Sequence, residues 1–576
     1  MRLSGSLLAN SRVISGRPIA PYANDDSCFE LSRTWRDICL EKHGGSCFKS
    51  TEQTLPTRVI DVGPSDGSRD PTLRITNGER GEWVALSHCW GTASRVVTNS
   101  RNVPLSERFM NLGDMPPTFR DAVIVTRQLG YRYLWIDSLC IVQDIHEDWV
   151  AESLRMRDYY KHAVLTISAD SASGDHVGFL KHRRELRESL TITLTSNDQI
   201  SVRLPVRPPI FRDRDTYVAE RAWTLQEFVL TPRSLLYTSQ QIIWDCHTSK
   251  FCESDENFVE NDEDLFYRSM KRFFSTPSLG KEKFPDFEEC FDPFVRWYSL
   301  ISDYFYRDLT LKKDVLPAIS GLAREIHNQT GKTYAAGIWI EELHHALLWI
   351  TSGCAKIPEA YHAPSWSWAS LECLPEALRP ALEDLYLTAI VGDPGILEWR
   401  ACYLSHEIIL EDGDPFGCVS SGFIHIRGRL LLTRLWQGKT KPYFNSYKSR
   451  FLSHFFTDWP NNLSMDQLVC NYDIIEPDIE EEDHEEKDIE KEDIGEEDTD
   501  EENVVLKKLL DKTIMFQVSA WDWGSIVSSR VIVLALLLLP VRDKPADTYR
   551  RVGLVEVPNF EGLAEKGWIT KEITII

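Results

Sequence analysis

With 576 residues, 42% of them hydrophobic and 11% aromatic, the chain has apolar material for several cores and reads as globular over most of its length. Its net charge of −24 excludes a nucleic-acid binder, which needs a basic surface to neutralise phosphates. Thirteen cysteines, odd in number and without a CxxC pair, fit a reducing cytosol better than a disulfide framework, so a cytoplasmic location is expected.

The first ten residues lose their apolar character too early for a secretory signal. The most apolar run, Val531 to Pro540, is too short to cross a bilayer as a helix and reads as a buried strand, so no membrane span is expected.

Residues 1–80 form a lead-in. Thr57–Val62 and Thr72–Thr76 alternate like the arms of a β-hairpin around Gly63-Pro64-Ser65-Asp66-Gly67, placed to cover an edge of a central sheet. Residues 81–235 read as an α/β domain. Three short apolar runs, Trp83–Ser87, Tyr133–Asp137 and Ala163–Ser168, have strand length and are separated by two helical segments, the pattern of a parallel β-α-β-α-β unit. The first helix opens at Pro116-Pro117-Thr118, carries Phe119, Ala122, Val123 and Leu129 on one stripe, and stops at Gly130. The second, about Glu147 to Tyr160, carries Trp149, Met156 and Tyr160. At 100° per residue, Glu152 falls only about 60° from Trp149. A carboxylate beside a buried face is either paired or chemically employed.

Each strand ends in polar or reactive groups: Ser87-His88-Cys89-Trp90-Gly91, Asp137-Ser138-Leu139-Cys140 and Ser168-Ala169-Asp170. In a parallel sheet such ends line one crevice, where ligands gather. Asp137 could bind ribose hydroxyls or cap the following turn. Trp90 and Gly91 could wall a nucleotide pocket or merely pack the strand end. Cys89 with His88 as base is a weaker arrangement, because neighbouring strand residues face opposite ways unless the chain turns at Gly91. Cys89 and Cys140 read as small buried hydrophobes. No GxGxxG or P-loop motif is present.

Leu190 to Leu204 alternates as two strands. In Arg221-Ala222-Trp223-Thr224-Leu225-Gln226-Glu227, Thr224 and Glu227 have capping-box spacing and predict a helix start. Arg221 ahead of that helix could bind a phosphate or stack on Trp223. Residues 236–384 read as mainly helical, notably Phe294–Phe305, Asp314–His327 and Trp339–Thr351. Ser365–Ala369 returns to period two with Trp366 and Trp368 on one face. Residues 385–475 and 513–576 read as a β-rich C-terminal module, through runs such as Phe423–Leu430 and Val552–Val557. Between them, 476–512 is an acidic insertion expected to be disordered: Glu476 to Glu502 holds 18 acidic residues and two lysines. Cys246, His247 and Cys252 lie close together, but structural zinc takes four ligands at tighter spacing, so no metal site is expected there.

Four motifs in order, Val84–Gly91, Leu134–Asp144, Asp148–Glu152 with Met156 and Tyr160, and Arg221–Glu227, together resemble the fungal heterokaryon-incompatibility (HET) domain. Tyr306–Thr310, Ala318–Ala323 and Ala363–Ser370 resemble segments C-terminal to that domain in many such proteins. The resemblance implies non-self recognition leading to programmed cell death, and a fold remotely similar to Toll/interleukin-receptor (TIR) and flavodoxin-like parallel sheets. Some TIR domains cleave NAD with a helix glutamate near a tryptophan, and Trp149 with Glu152 is similar to that arrangement. This implies Glu152 as the catalytic residue, and Ser87, Trp90, Gly91, Asp137, Trp149 and Arg221 around an NAD substrate, with no resident cofactor. A carboxylate in a low-dielectric crevice would stabilise the oxocarbenium-like transition state of N-ribosyl cleavage. The other implied reading is a non-catalytic signalling module, acting by self-association with an unidentified allorecognition protein as partner.

Overall fold

The computed structural model describes residues 17, 19–43, 47, 52–91, 96–102, 107–183, 190–193, 199–202, 217–255, 262–275, 293–305, 307–349, 355–356, 358–373, 396–399, 401–432, 443–444, 469–472, 514–525, 528–558 and 569–576. The acidic tract lies outside them. The chain divides into two compact units, Met1–Glu288 with Arg307–Leu309 and Ala318–Gln329, and Glu289–Tyr306 with Thr310–Pro317 and Thr330–Ile576. These boundaries split the segment read from sequence as one helical region.

The first unit is built on a nine-stranded sheet. Its strands are β1 (Arg58–Asp61), β2 (Thr72–Ile75), β3 (Trp83–Ser87), β4 (Glu107–Phe109), β5 (Tyr133–Trp135), β6 (Leu165–Ser168), β7 (Arg233–Tyr237), β8 (Ile242–Cys246) and β9 (Lys250–Cys252). The spatial order is β9-β8-β7-β6-β3-β5-β1-β2-β4. The four central strands, β7, β6, β3 and β5, run parallel. The expected parallel sheet is therefore the centre of a mixed one, because both flanks are antiparallel. The Arg58–Asp61/Thr72–Ile75 hairpin extends the sheet beside β5, and β8 and β9 are strands where the sequence had predicted helix. Ile242–Cys246 is a short apolar run, and such a run does not separate strand from helix by periodicity.

All five residues of β3 are buried, as a parallel strand covered on both faces requires. Helix α1 (Asp26–Lys42) packs near the end of α2 (Pro117–Gln128), where Arg36 donates to the Leu129 carbonyl. Pro117 occupies the first turn of α2 and Gly130, at φ +78°, lies just past its end. After β5 come the single turn α3 (Asp137–Cys140) and α4 (His146–Lys161). After β6 come a short hairpin, Leu190–Thr193 with Gln199–Val202, and α5 (Trp223–Leu230). The chain leaves β3 sideways to β5 and returns past β3 to β6. Right-handed crossovers then put α2 on one face of the sheet and α4 and α5 on the other. Helix α6 (Asp262–Ser275) joins α5: fully buried Lys271 pairs with Asp245 at 2.7 Å, donates to Ser234 and sits 3.9 Å over the Phe228 ring.

The expected capping box at α5 does not form. Thr224 Oγ1 donates to the carbonyls of Val218 and Arg221, and Glu227 turns inward to the sheet. The helix starts at Trp223 with Ala222 at its N-cap, so Thr224 already lies inside the first turn and cannot cap it, while Glu227 is buried.

In the second unit, α7 (Pro293–Phe305) precedes the 3-10 turn Lys312–Val315; another, Pro317–Ile319, opens at the boundary with a proline that cannot continue an α-helix. Helix α8 (Ser320–Thr330) comes next and belongs to the first unit up to Gln329, tied to α4 by Glu325 through Arg157 and Lys161. The predicted helix from Trp339 is, within the described residues, one 3-10 turn and the single turn Leu343–Ala346. Ser365–Ala369 is not a strand: Ser367 caps the 3-10 turn Trp368–Ser370. Trp366 and Trp368 are nonetheless both buried, and the Nε1 of Trp297 and of Trp368 donate to the Gly337 carbonyl. The hydrogen bonds of Trp297 and Trp368 join both indoles to one carbonyl, a contact that period two does not report. The rest is β-rich, with Val419–Leu432, Ile514–Ser525, Ser528–Pro540, Thr548–Pro558 and Ile569–Ile575 in one sheet. Leu536, Leu537 and Leu538 are fully buried strand residues. No helix among the described residues is long and apolar enough to cross a membrane.

Candidate functional site

The order of the parallel strands reverses beside β3, and Ser87 and Ser168 stand opposite each other at the ends of β3 and β6. Open α/β sheets bind ligands outside such a reversal. The groups gathered there come from all the predicted strand ends. Asp137, at the start of α3, accepts the Ser138 amide at 2.7 Å with one oxygen and the Trp90 indole N–H at 2.9 Å with the other. It thus binds the amide next to it within its own turn and holds Trp90. His88 lies buried between two carboxylates, its Nδ1 3.7 Å from Asp137 and its Nε2 3.2 Å from Asp175, the latter out of line for a hydrogen bond. Its ring meets Phe119 edge-on at 5.2 Å.

Asp175 arrives on a loop seated at the N-terminus of α2, where the Thr118 amide donates to the Asp175 carbonyl and the Thr118 hydroxyl to that of Gly174. This seat requires a glycine at 91. Gly91 has φ +75°, and a Cβ there would stand 3.0 Å from Gly174 Cα, so the Gly174 loop would have to shift by a few tenths of an ångström.

Arg221 donates to the His88 carbonyl, tying the start of α5 to the strand end. Glu227 lies about one turn into α5, 2% exposed, beside Ser87 and Tyr160, with Oε2 buried and without a hydrogen-bond partner. Burial raises its carboxyl above the ordinary range, and the Arg221 charge opposes that shift. Asp170, buried with a single side-chain bond from the Ser168 hydroxyl at 2.7 Å, is pushed up to about 6 by burial. It lines a small cavity of about 40 Å³ with Ser87, Ser168, Thr224, Lys250 and Arg307. Burial pushes Cys89 up to about 12, and its Sγ donates to the Tyr217 carbonyl, so it is no thiolate nucleophile.

Ser87, Trp90, Gly91, Asp137 and Arg221 therefore meet at one sheet edge. Trp149 and Glu152 stand on α4. Trp149 is half-buried and stacks on His146 at 6.4 Å. Glu152 is 1% exposed. Its Oε1 accepts from Thr57 Oγ1 at 2.7 Å and Arg155 at 3.2 Å, and its Oε2 from Tyr159 at 2.8 Å. None of these partners belongs to the strand-end cluster. Sequence reasoning placed Asp170 at its strand end without a specific role, gave Asp175 none, and read Glu227 by its spacing as part of a cap.

The Cys246, His247 and Cys252 trio does not converge. His247 Nε2 meets Ser275 Oγ at 2.9 Å, while Cys246 faces His43.

Residues 83–227 match the family model described as Heterokaryon incompatibility protein (HET). No curated protein and no solved structure matches the chain significantly. The matched segment runs from the first residue of β3 to Glu227 and supplies the strand ends, the Asp175 loop and Arg221, which supports placing it in the heterokaryon incompatibility domain family.

Proposed function

We propose that the chain is an effector of fungal heterokaryon incompatibility, whose HET domain triggers cell death as a self-associating signalling module rather than by chemistry at Glu152. The observation that carries this reading is the occupation of Glu152. Both of its oxygens are engaged by Thr57, Tyr159 and Arg155, so it is built as a fastener between α4 and Thr57, the residue that leads into β1. The strand edge is filled in the same way, with Trp90 held on Asp137 and Arg221 on the His88 carbonyl.

Cleavage of NAD in a TIR-like, flavodoxin-like fold is the second reading. It is favoured by Glu227, a buried carboxylate with an unpartnered oxygen beside Ser87 at the strand reversal, where electrostatic stabilisation of a ribosyl cation would be strongest. The test is NAD consumption by the purified full chain at high concentration, with Glu152→Gln and Glu227→Gln alongside, and host killing on expression. Unchanged NAD together with killing by wild type and Glu152→Gln supports the signalling module. Release of nicotinamide, abolished in either variant, overturns it and assigns the chemistry to that carboxylate.

A further inference from the structure

Four side chains distant from the strand-end cluster converge near the end of α1: Cys39, His43, Cys47 and Cys246. Their Sγ and imidazole nitrogen atoms all lie within 4.8 Å of one another. His43 Nδ1 is 3.5 Å from Cys246 Sγ and 3.6 Å from Cys47 Sγ. Zinc–sulfur bonds of about 2.3 Å and zinc–nitrogen bonds of about 2.0–2.1 Å in a tetrahedron give ligand-to-ligand edges of about 3.5–3.8 Å. We propose that these four residues form a structural Cys₃His zinc site fastening the end of α1 to the β8 edge of the sheet.

The surroundings fit bound thiolates. Arg233 Nε donates to Cys39 Sγ at 3.2 Å, the Ser249 amide donates to Cys246 Sγ at 3.4 Å, and the Thr248 hydroxyl is 3.2 Å from Cys47 Sγ. Hydrogen bonds to metal-bound sulfur are the usual outer shell of such sites. The charges close as well: three thiolates and Zn²⁺ leave one negative charge, and the Arg233 guanidinium, 1% exposed, supplies the compensating positive one. Binding releases the three thiol protons to solvent, and no redox step is involved. With four protein ligands and three of them buried, the site has no open position for a substrate, which makes it structural rather than catalytic.

The spacing explains why the site escapes a search for paired cysteines. Cys39 lies in the last turn of α1 and His43 four residues on, at its C-cap; Cys47 comes at the same interval, and Cys246 is supplied from far along the chain. The expectation that no metal site would be found rested on Cys246, His247 and Cys252, of which only Cys246 takes part.

The experiment is metal analysis of the purified, fully reduced full chain by plasma mass spectrometry, and then exchange with Co²⁺. About one zinc per chain is expected. The cobalt form should show intense visible bands of a tetrahedral ion and thiolate-to-metal charge transfer in the near ultraviolet. Cys246→Ser should lose the metal. Because that variant disturbs a buried position, His43→Cys is the companion: it should stay folded, keep one metal and shift the cobalt spectrum towards four thiolates. A reduced wild-type chain that binds neither ion overturns the proposal. So does full metal content in Cys246→Ser, an unchanged cobalt spectrum in His43→Cys, or a mass showing two of these cysteines joined as a disulfide.

Discussion

Glu152 is where structural and catalytic readings make opposite demands, so its replacement is the sharpest probe of the first unit. In Glu152→Gln the carboxylate becomes an amide of the same shape. The ion pair to Arg155 is lost, but that side chain is 56% exposed, which limits the pair to about 0.5–1 kcal/mol. The hydroxyls of Thr57 and Tyr159 lose a charged acceptor, and one must turn to accept from the new NH₂ group, costing about 1 kcal/mol more. The total is about 1–2 kcal/mol. Glu152→Ala removes the acceptor altogether. Thr57 Oγ1 and Tyr159 OH are 3.3 Å apart and can pair with each other, so one buried donor rather than two is orphaned. With the cavity left behind, the cost rises to about 3–4 kcal/mol. Hydrogen exchange of peptides covering 146–161, read by mass spectrometry, isolates this helix from the rest of a large chain. Exchange should quicken roughly 5–30-fold in the glutamine variant and by more than about a hundredfold in the alanine variant. Tyr159, pushed up to about 12 by burial and the Glu152 charge, should also titrate lower in both. Equal exchange in the two variants, or none faster than wild type, would refute the fastener.

The strand ends carry two further predictions. Asp170 has its carboxyl raised to about 6 by burial, so the stability carried by its protonated form is fully present below the ordinary value of 3.8 and is lost as pH rises through about 6. That is about 3 kcal/mol, and Asp170→Asn should be the more stable protein at pH 7 with the difference vanishing near pH 4; a melting-temperature gap independent of pH would show the reasoning wrong. Gly91→Ala brings a Cβ against Gly174 Cα in a backbone conformation at φ +75°, and urea unfolding should register a loss of about 1–3 kcal/mol, whereas an unmoved midpoint would mean that the Gly174 loop yields freely.

The sequence by itself determined the local elements of the first half. Proline at the start and glycine past the end bounded Pro117–Gln128, and short apolar runs marked the strands at Trp83, Tyr133 and Leu165, because these signals depend on neighbours only a few residues away. The gathering of Ser87, Trp90 and Asp137 at one edge was legible for the same reason: parallel strands with helical crossovers must end on one side. Tertiary structure decided what those residues touch. Thr224 and Glu227 have the spacing of a cap, yet the helix starts one residue earlier, at Trp223, and Glu227 turns to Ser87 and Tyr160 on other elements. Asp175 beside His88, Thr57 on Glu152, and Cys246 against His43 join positions 87, 95 and 203 residues apart. No periodicity carries such pairings; they exist only once the sheet order is set.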